Sequence, residues 1–101
     1  MPGYAVINKK EAQEDILEAV TWYELQQKGL GIKFLDEFEE IIEYLHRNPF
    51  LFPEKYPPIH QVPLKRFPFA VLYSISGRNV FIHAVFHCKR DPKKKNTRFE
   101  K

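Results

Sequence analysis

A chain of 101 residues, 44% apolar and 15% aromatic, holds one domain with a single two-layer core and has little room for a deep, enclosed catalytic chamber. Its lone cysteine, Cys88, excludes an internal disulfide and a cysteine-based zinc cluster, as expected in a reducing cytoplasm. The net charge of +3 conceals a polarity: residues 1–58 carry six Lys/Arg against eleven Asp/Glu, whereas residues 59–101 carry ten against two. An acidic front and a basic back fit an anionic partner for the second half, nucleic acid or an acidic protein segment, or else a solvated surface that keeps the chain soluble. No apolar signal core stands at the N-terminus, and no stretch approaches the roughly 18 apolar residues that cross a bilayer, so no membrane partner is expected.

Along the chain, Tyr4-Ala5-Val6-Ile7 is a short β-prone run. From Lys10 the period changes: Ala12, Ile16, Ala19, Val20 and Tyr23 recur at three- and four-residue steps and predict an amphipathic helix. Gly29 offers a left-handed stop, and Lys28-Gly29-Leu30-Gly31 is short enough to make a helical hairpin. Phe34, Leu35, Phe38, Ile41, Ile42 and Leu45 define the second helix, which ends at Asn48 because Pro49 disfavours the α conformation of the residue before it.

Residues 49–58 hold four prolines with Phe50, Phe52 and Tyr56, and predict an ordered loop pinned by its aromatics. Val62 and Leu64 begin a further strand, placed at an edge or a bulge by Pro63. Phe69, Val71, Tyr73 and Ile75 alternate on one face of the next strand; Val80, Ile82, Ala84 and Phe86 do so on the last, across the turn at 76–79. The predicted fold is α+β in the order β-α-α-β-β-β, one domain over 1–101 with a basic, flexible tail at 93–101. A helical hairpin covers one face of a small, mostly antiparallel sheet. The other face, with Leu72, Phe81, His83, Val85 and His87, is expected to be uncovered.

Arg66, Lys89 and Arg90 fall at strand ends, where fixed charge can hold phosphates or a partner's carboxylate, or simply discourage edge pairing. A histidine near its ordinary pKa can act as general acid or base, which makes His87 the candidate proton-transfer group beside that rim. His83 and His87 lie four strand residues apart, roughly 13 Å, too far to share a metal ion. No metal or cofactor is expected. Cys88 beside Lys89 and Arg90 lacks a base and is read as inert. The chain contains no nucleophile elbow, phosphate-binding loop or dinucleotide fingerprint.

Trp22-Tyr23, Lys28-Gly29-Leu30-Gly31, Phe34-Leu35, Asn48-Pro49, Phe52-Pro53, Lys65-Arg66-Phe67-Pro68-Phe69, and His87 with Arg90-Asp91-Pro92 together resemble the RelE/ParE superfamily, the toxin halves of type II toxin–antitoxin modules. The resemblance spans nearly the whole chain in the family's order. It implies a cytoplasmic growth inhibitor, neutralised by a cognate antitoxin whose extended segment wraps the toxin. One branch cuts mRNA on the ribosome without a metal, and the other poisons DNA gyrase without being an enzyme. The catalytic arginine of the mRNA-cutting branch aligns with Ala70, and its C-terminal tyrosine has no counterpart after Arg90. Gyrase is therefore the expected target, bound through Arg66, Lys89 and Arg90, with Leu72, Phe81 and Val85 left for the antitoxin. The alternatives are a ribosome-dependent mRNA endonuclease using Arg66, His87 and Arg90, and a decayed toxin that only binds its antitoxin.

Overall fold

The structure, a computed structural model, describes residues 3–89. Its elements are β1 (Ala5–Asn8), α1 (Lys10–Gln26), α2 (Leu30–Arg47), β2 (Glu54–Tyr56), β3 (Ile59–Pro63), β4 (Phe69–Ser76) and β5 (Asn79–His87). They form one five-stranded sheet in the order β1-β5-β4-β3-β2, antiparallel except where β1 runs parallel to β5. The α+β architecture and helical hairpin follow the sequence. β2 does not: it lies inside the stretch read as a loop, because three exposed residues between Pro53 and Pro57 show no alternation to read. Pro63 closes β3 beyond the reach of β2, at an exposed position where its missing amide costs no ladder bond on the outer side.

Two glycines shape the hairpin of helices. Gly29 takes a φ of 90°, the left-handed conformation that lets the chain reverse. Gly31 lets the helices approach: a Cβ there would stand 2.6 Å from the Val20 carbonyl oxygen. Glu24, near the end of α1, accepts bonds from the amides of Gly29 (2.9 Å) and Gly31 (3.0 Å), so one carboxylate satisfies two donors at the start of α2. The far end of α2 is held to β1, where the Tyr4 amide donates to the His46 carbonyl at 2.9 Å.

The main core lies between helices and sheet, with Phe34, Phe38 and Leu45 of α2 meeting Phe69, Val71 and Tyr73 of β4. In β5 the inward phase changes along the strand. Leu72 pairs with Ala84 but Tyr73 pairs with Ile82, which makes His83 the extra residue of a β-bulge. Val80 and Ile82 therefore face the helices before the bulge, and Val85 faces them after it. Strict alternation had put Ala84 and Phe86 on that side; they belong instead to a second apolar cluster with Ile59, Ala70 and Leu72 on the other face.

The second face is thus not the bare surface expected. Leu72 is fully buried, and Val85 lies in the main core at 1% exposure, so neither presents apolar surface. Phe81 remains half-buried. His87, carried by the same phase shift to the helix-facing side, packs edge-on against Phe69 at 5.1 Å. His83 keeps its expected face, hydrogen-bonded to the Ser74 hydroxyl at 2.7 Å.

The stretch before β3, expected to be pinned by its own aromatics, is held more through its backbone carbonyls, since Phe50 and Tyr56 are exposed. The Tyr73 hydroxyl donates to the Pro49 carbonyl at 2.6 Å, and His60 stacks on the Tyr73 ring at 4.9 Å while its Nδ1 bonds the Phe52 carbonyl at 2.7 Å. Burial pushes the Tyr73 phenol well above its ordinary pKa of 10.0, because the charged form is the one that burial penalises.

Two outcomes follow from this packing. Gly31→Ala, which in an exposed helix interior gains up to about 1 kcal/mol, is expected here to lose about 1–3 kcal/mol through overpacking, read as a lower urea midpoint. Tyr73→Phe loses about 1 kcal/mol at neutral pH. The phenol's raised pKa contributes stability that is whole below the ordinary value and is lost as pH rises above it. Urea midpoints taken at neutral pH and above about pH 10 should therefore fall further for the parent chain than for Tyr73→Phe.

Candidate functional site

The β3–β4 connection is built to hold two cations outward. Leu64 and Phe67 are buried, at 6% and 8% exposure, and the intervening Lys65 and Arg66 are exposed. Phe67 is wedged against Tyr23 (4.8 Å) and Phe34 (5.1 Å), both edge-on, which ties the loop to both helices at once. The Leu64 amide donates to the Phe69 carbonyl at 2.8 Å, closing the loop at its base.

Beneath the two cations sits Glu37 of α2, only 8% exposed. Its carboxylate accepts the backbone amides of Lys65 and Arg66, the latter at 3.2 Å to each oxygen. The end of β5 joins the same place: the Cys88 amide donates to the Pro68 carbonyl at 2.8 Å, and the Lys89 amide donates to Nδ1 of His87 at 3.1 Å. Arg66, His87 and Lys89 are thus gathered at one end of the sheet, as their strand-end positions implied. Arg90 and the tail at 93–101 lie outside the described residues.

The site is a positively charged rim around an anchored loop. Cys88 is an exposed free thiol, and His83 lies part-way back along β5 on the opposite face. Ala70 is fully buried, pairs with Pro63 and Phe86, and offers no functional group. Among the described residues no group of three His, Cys, Asp or Glu side chains is placed to hold a metal ion.

Two carboxylates matter here that the sequence reading passed over. Asp15 of α1, 4% exposed, accepts the Val85 amide at 3.0 Å, and Glu37 accepts the loop amides. Each sits three residues after a core residue of its helix, Ala12 and Phe34, and so on the inward stripe. An acid at an apolar phase position was the available signal, since a buried polar group is the informative exception to the inside-out rule.

Residues 6–92 match the family described as the ParE toxin of the parDE type II toxin–antitoxin system. The chain belongs to the ParE toxin family. A chain of the chromosomal ParDE toxin–antitoxin system from P. aeruginosa has the same fold, with a TM-score of 0.75 at 16% identity, over 85% of this chain and 97% of that one. No curated protein matches significantly. The family match runs from β1 past the end of β5 and includes the rim residues Arg66, His87 and Lys89, and Arg90 in the sequence beyond the described residues. Among the described residues no helix is long and apolar enough to cross a membrane.

Proposed function

We propose that this ParE-family toxin arrests growth by binding DNA gyrase through the rim of Arg66, Lys89 and Arg90, and that a cognate antitoxin neutralises it. The observation that carries the reading is Ala70. A nuclease needs a preorganised cation where charge develops in the transition state, a contribution of roughly 3–4 kcal/mol for a single donor, and this position is a buried methyl group in an apolar cluster. Binding asks less. Exposed fixed cations on an anchored loop attract a complementary acidic surface and set its register.

His87 fits a structural role in this reading. Its ring packs on Phe69 and its Nδ1 is engaged by the Lys89 amide, which orders the chain at the rim. The antitoxin contact also shifts. With Leu72 and Val85 buried, Phe81 is left of the expected apolar trio, whereas the outer face of α1 exposes Leu17 at 67% and Leu25 at 80%. An apolar antitoxin segment lying over α1, with acidic residues reaching the rim, covers both kinds of surface.

Expression without antitoxin should arrest bacterial growth with DNA-damage signalling, and the purified chain should inhibit gyrase supercoiling, less so as salt rises. A folded Arg66→Glu variant should inhibit at least roughly tenfold less, equivalent to about 1.4 kcal/mol, while His87→Ala stays close to the parent. Codon-phased cuts in ribosome-bound mRNA that vanish with His87→Ala would overturn this in favour of a nuclease. Harmless expression of the parent chain would mark a decayed toxin.

A further inference from the structure

We propose that Glu37 is the positioning residue of the rim: by accepting the backbone amides of Lys65 and Arg66, its carboxylate fixes the turn that presents the Arg66 guanidinium to the target. The inference rests on the reading of Arg66 as a target-binding residue and goes beyond it by saying how that side chain is held.

Glu37 occupies the inward stripe of α2, between Phe34 and Ile41, where an apolar side chain would pack without cost. A carboxylate buried there is unfavourable unless it is hydrogen-bonded. Its bonds go to two consecutive amides of one exposed turn, with both oxygens engaged. Two successive amides aimed at one anion form a small backbone nest, and here the anion is supplied from another element of the same chain, some 28 residues away along the sequence.

The consequence is directional. A five-residue connection held only at its flanks, by Leu64 and by Phe67 and Pro68, would leave the backbone of Lys65 and Arg66 free to sample several conformations, and binding would have to freeze them. Glu37 holds the turn at the residue before Phe67, so Arg66 is fixed on both sides: by its own amide on Glu37 and by the wedge of Phe67 between Tyr23 and Phe34. The charge of Glu37 by itself works against an anionic target. A purely electrostatic role therefore predicts tighter binding when that charge is removed, and a positioning role predicts the reverse when the acceptor is removed.

Four purified variants separate these roles: Glu37→Gln, Glu37→Leu, Arg66→Ala and the double Glu37→Leu/Arg66→Ala. Both substitutions at Glu37 remove the charge. Gln keeps a carbonyl acceptor, whereas Leu keeps the fold by suiting the apolar stripe and offers no acceptor. Glu37→Gln should inhibit supercoiling within about threefold of the parent, and Glu37→Leu about tenfold less, at temperatures where each is folded. In hydrogen exchange the Lys65 and Arg66 amides should stay protected with Gln and lose protection with Leu.

The double variant should be no weaker than Arg66→Ala alone, because a residue that acts through Arg66 has nothing left to position. Inhibition by folded Glu37→Leu equal to the parent, while Arg66→Ala is impaired, overturns the positioning role and leaves the rim reading standing. Fully additive losses in the double variant overturn it as well. Parent-like inhibition by Arg66→Ala overturns the rim reading itself and, with it, this inference. Tighter inhibition by both Glu37 variants would assign Glu37 a charge effect in place of positioning.

Discussion

At His83, β5 carries one residue more than the stretch of β4 it pairs with, and the side chains beyond that point change faces. The bulge is possible because β1 accompanies β5 only from Asn79 to Ile82, so the strand loses one neighbour where the extra residue enters. An interior strand that runs past its neighbour leaves amides without a ladder partner, which is costly in a dry environment. The α1 carboxylate of Asp15 takes the Val85 amide just there. Bulge, shortened β1 and buried acid are mutually dependent: with strict alternation, Val85 would leave the core and His87 would lie on the opposite face from Phe69.

Asp15 and Glu37 do the same job from different helices. Each is a buried acid that bonds the backbone of the sheet layer, and a charge-assisted bond to an amide is stronger and more directional than apolar contact. Apolar packing sets the distance between helices and sheet but leaves their sliding poorly defined. Two carboxylates at two points fix it. Asp15 acts on β5 two residues before His87, and Glu37 acts on the loop before β4, so both constraints converge on the end of the sheet where the cations stand. The hairpin of helices is therefore part of the site's scaffold and not merely its cover.

What could be read from the sequence followed the strength of local patterns. The helices were legible because their apolar residues recur at helical spacing and their turn contains a glycine that takes φ 90°. The β4–β5 hairpin was legible through Gly77, which adopts φ 61° in a two-residue turn between Ser76 and Asn79. The bulge was not, since inserting one residue into a run such as Val80 to Phe86, apolar on both phases, leaves no mark in its alternation. That one omission displaced Ala84, Val85, Phe86 and His87 together. For the site, the cations at strand ends were visible as charges beside apolar runs. The acid that holds them showed only as a polar residue on an apolar stripe, and what it binds left no mark, because its partners are amides, which every residue but proline carries.

The charge polarity of the sequence acquires a geometry in this fold. The acidic residues of the first half lie largely on the helices: Asp36, Glu39, Glu40 and Glu43 line one groove of α2 above Ile16, Leu35 and Ile42. The described cations of the rim, Lys65, Arg66 and Lys89, stand at the loop and just past the end of β5. All three are exposed there, and a local patch of one sign orients an approaching surface of the other and speeds encounter without adding binding area. Glu37 shares α2 with the acids of that groove, but its carboxylate bonds the amides of the residues that carry the loop's two cations.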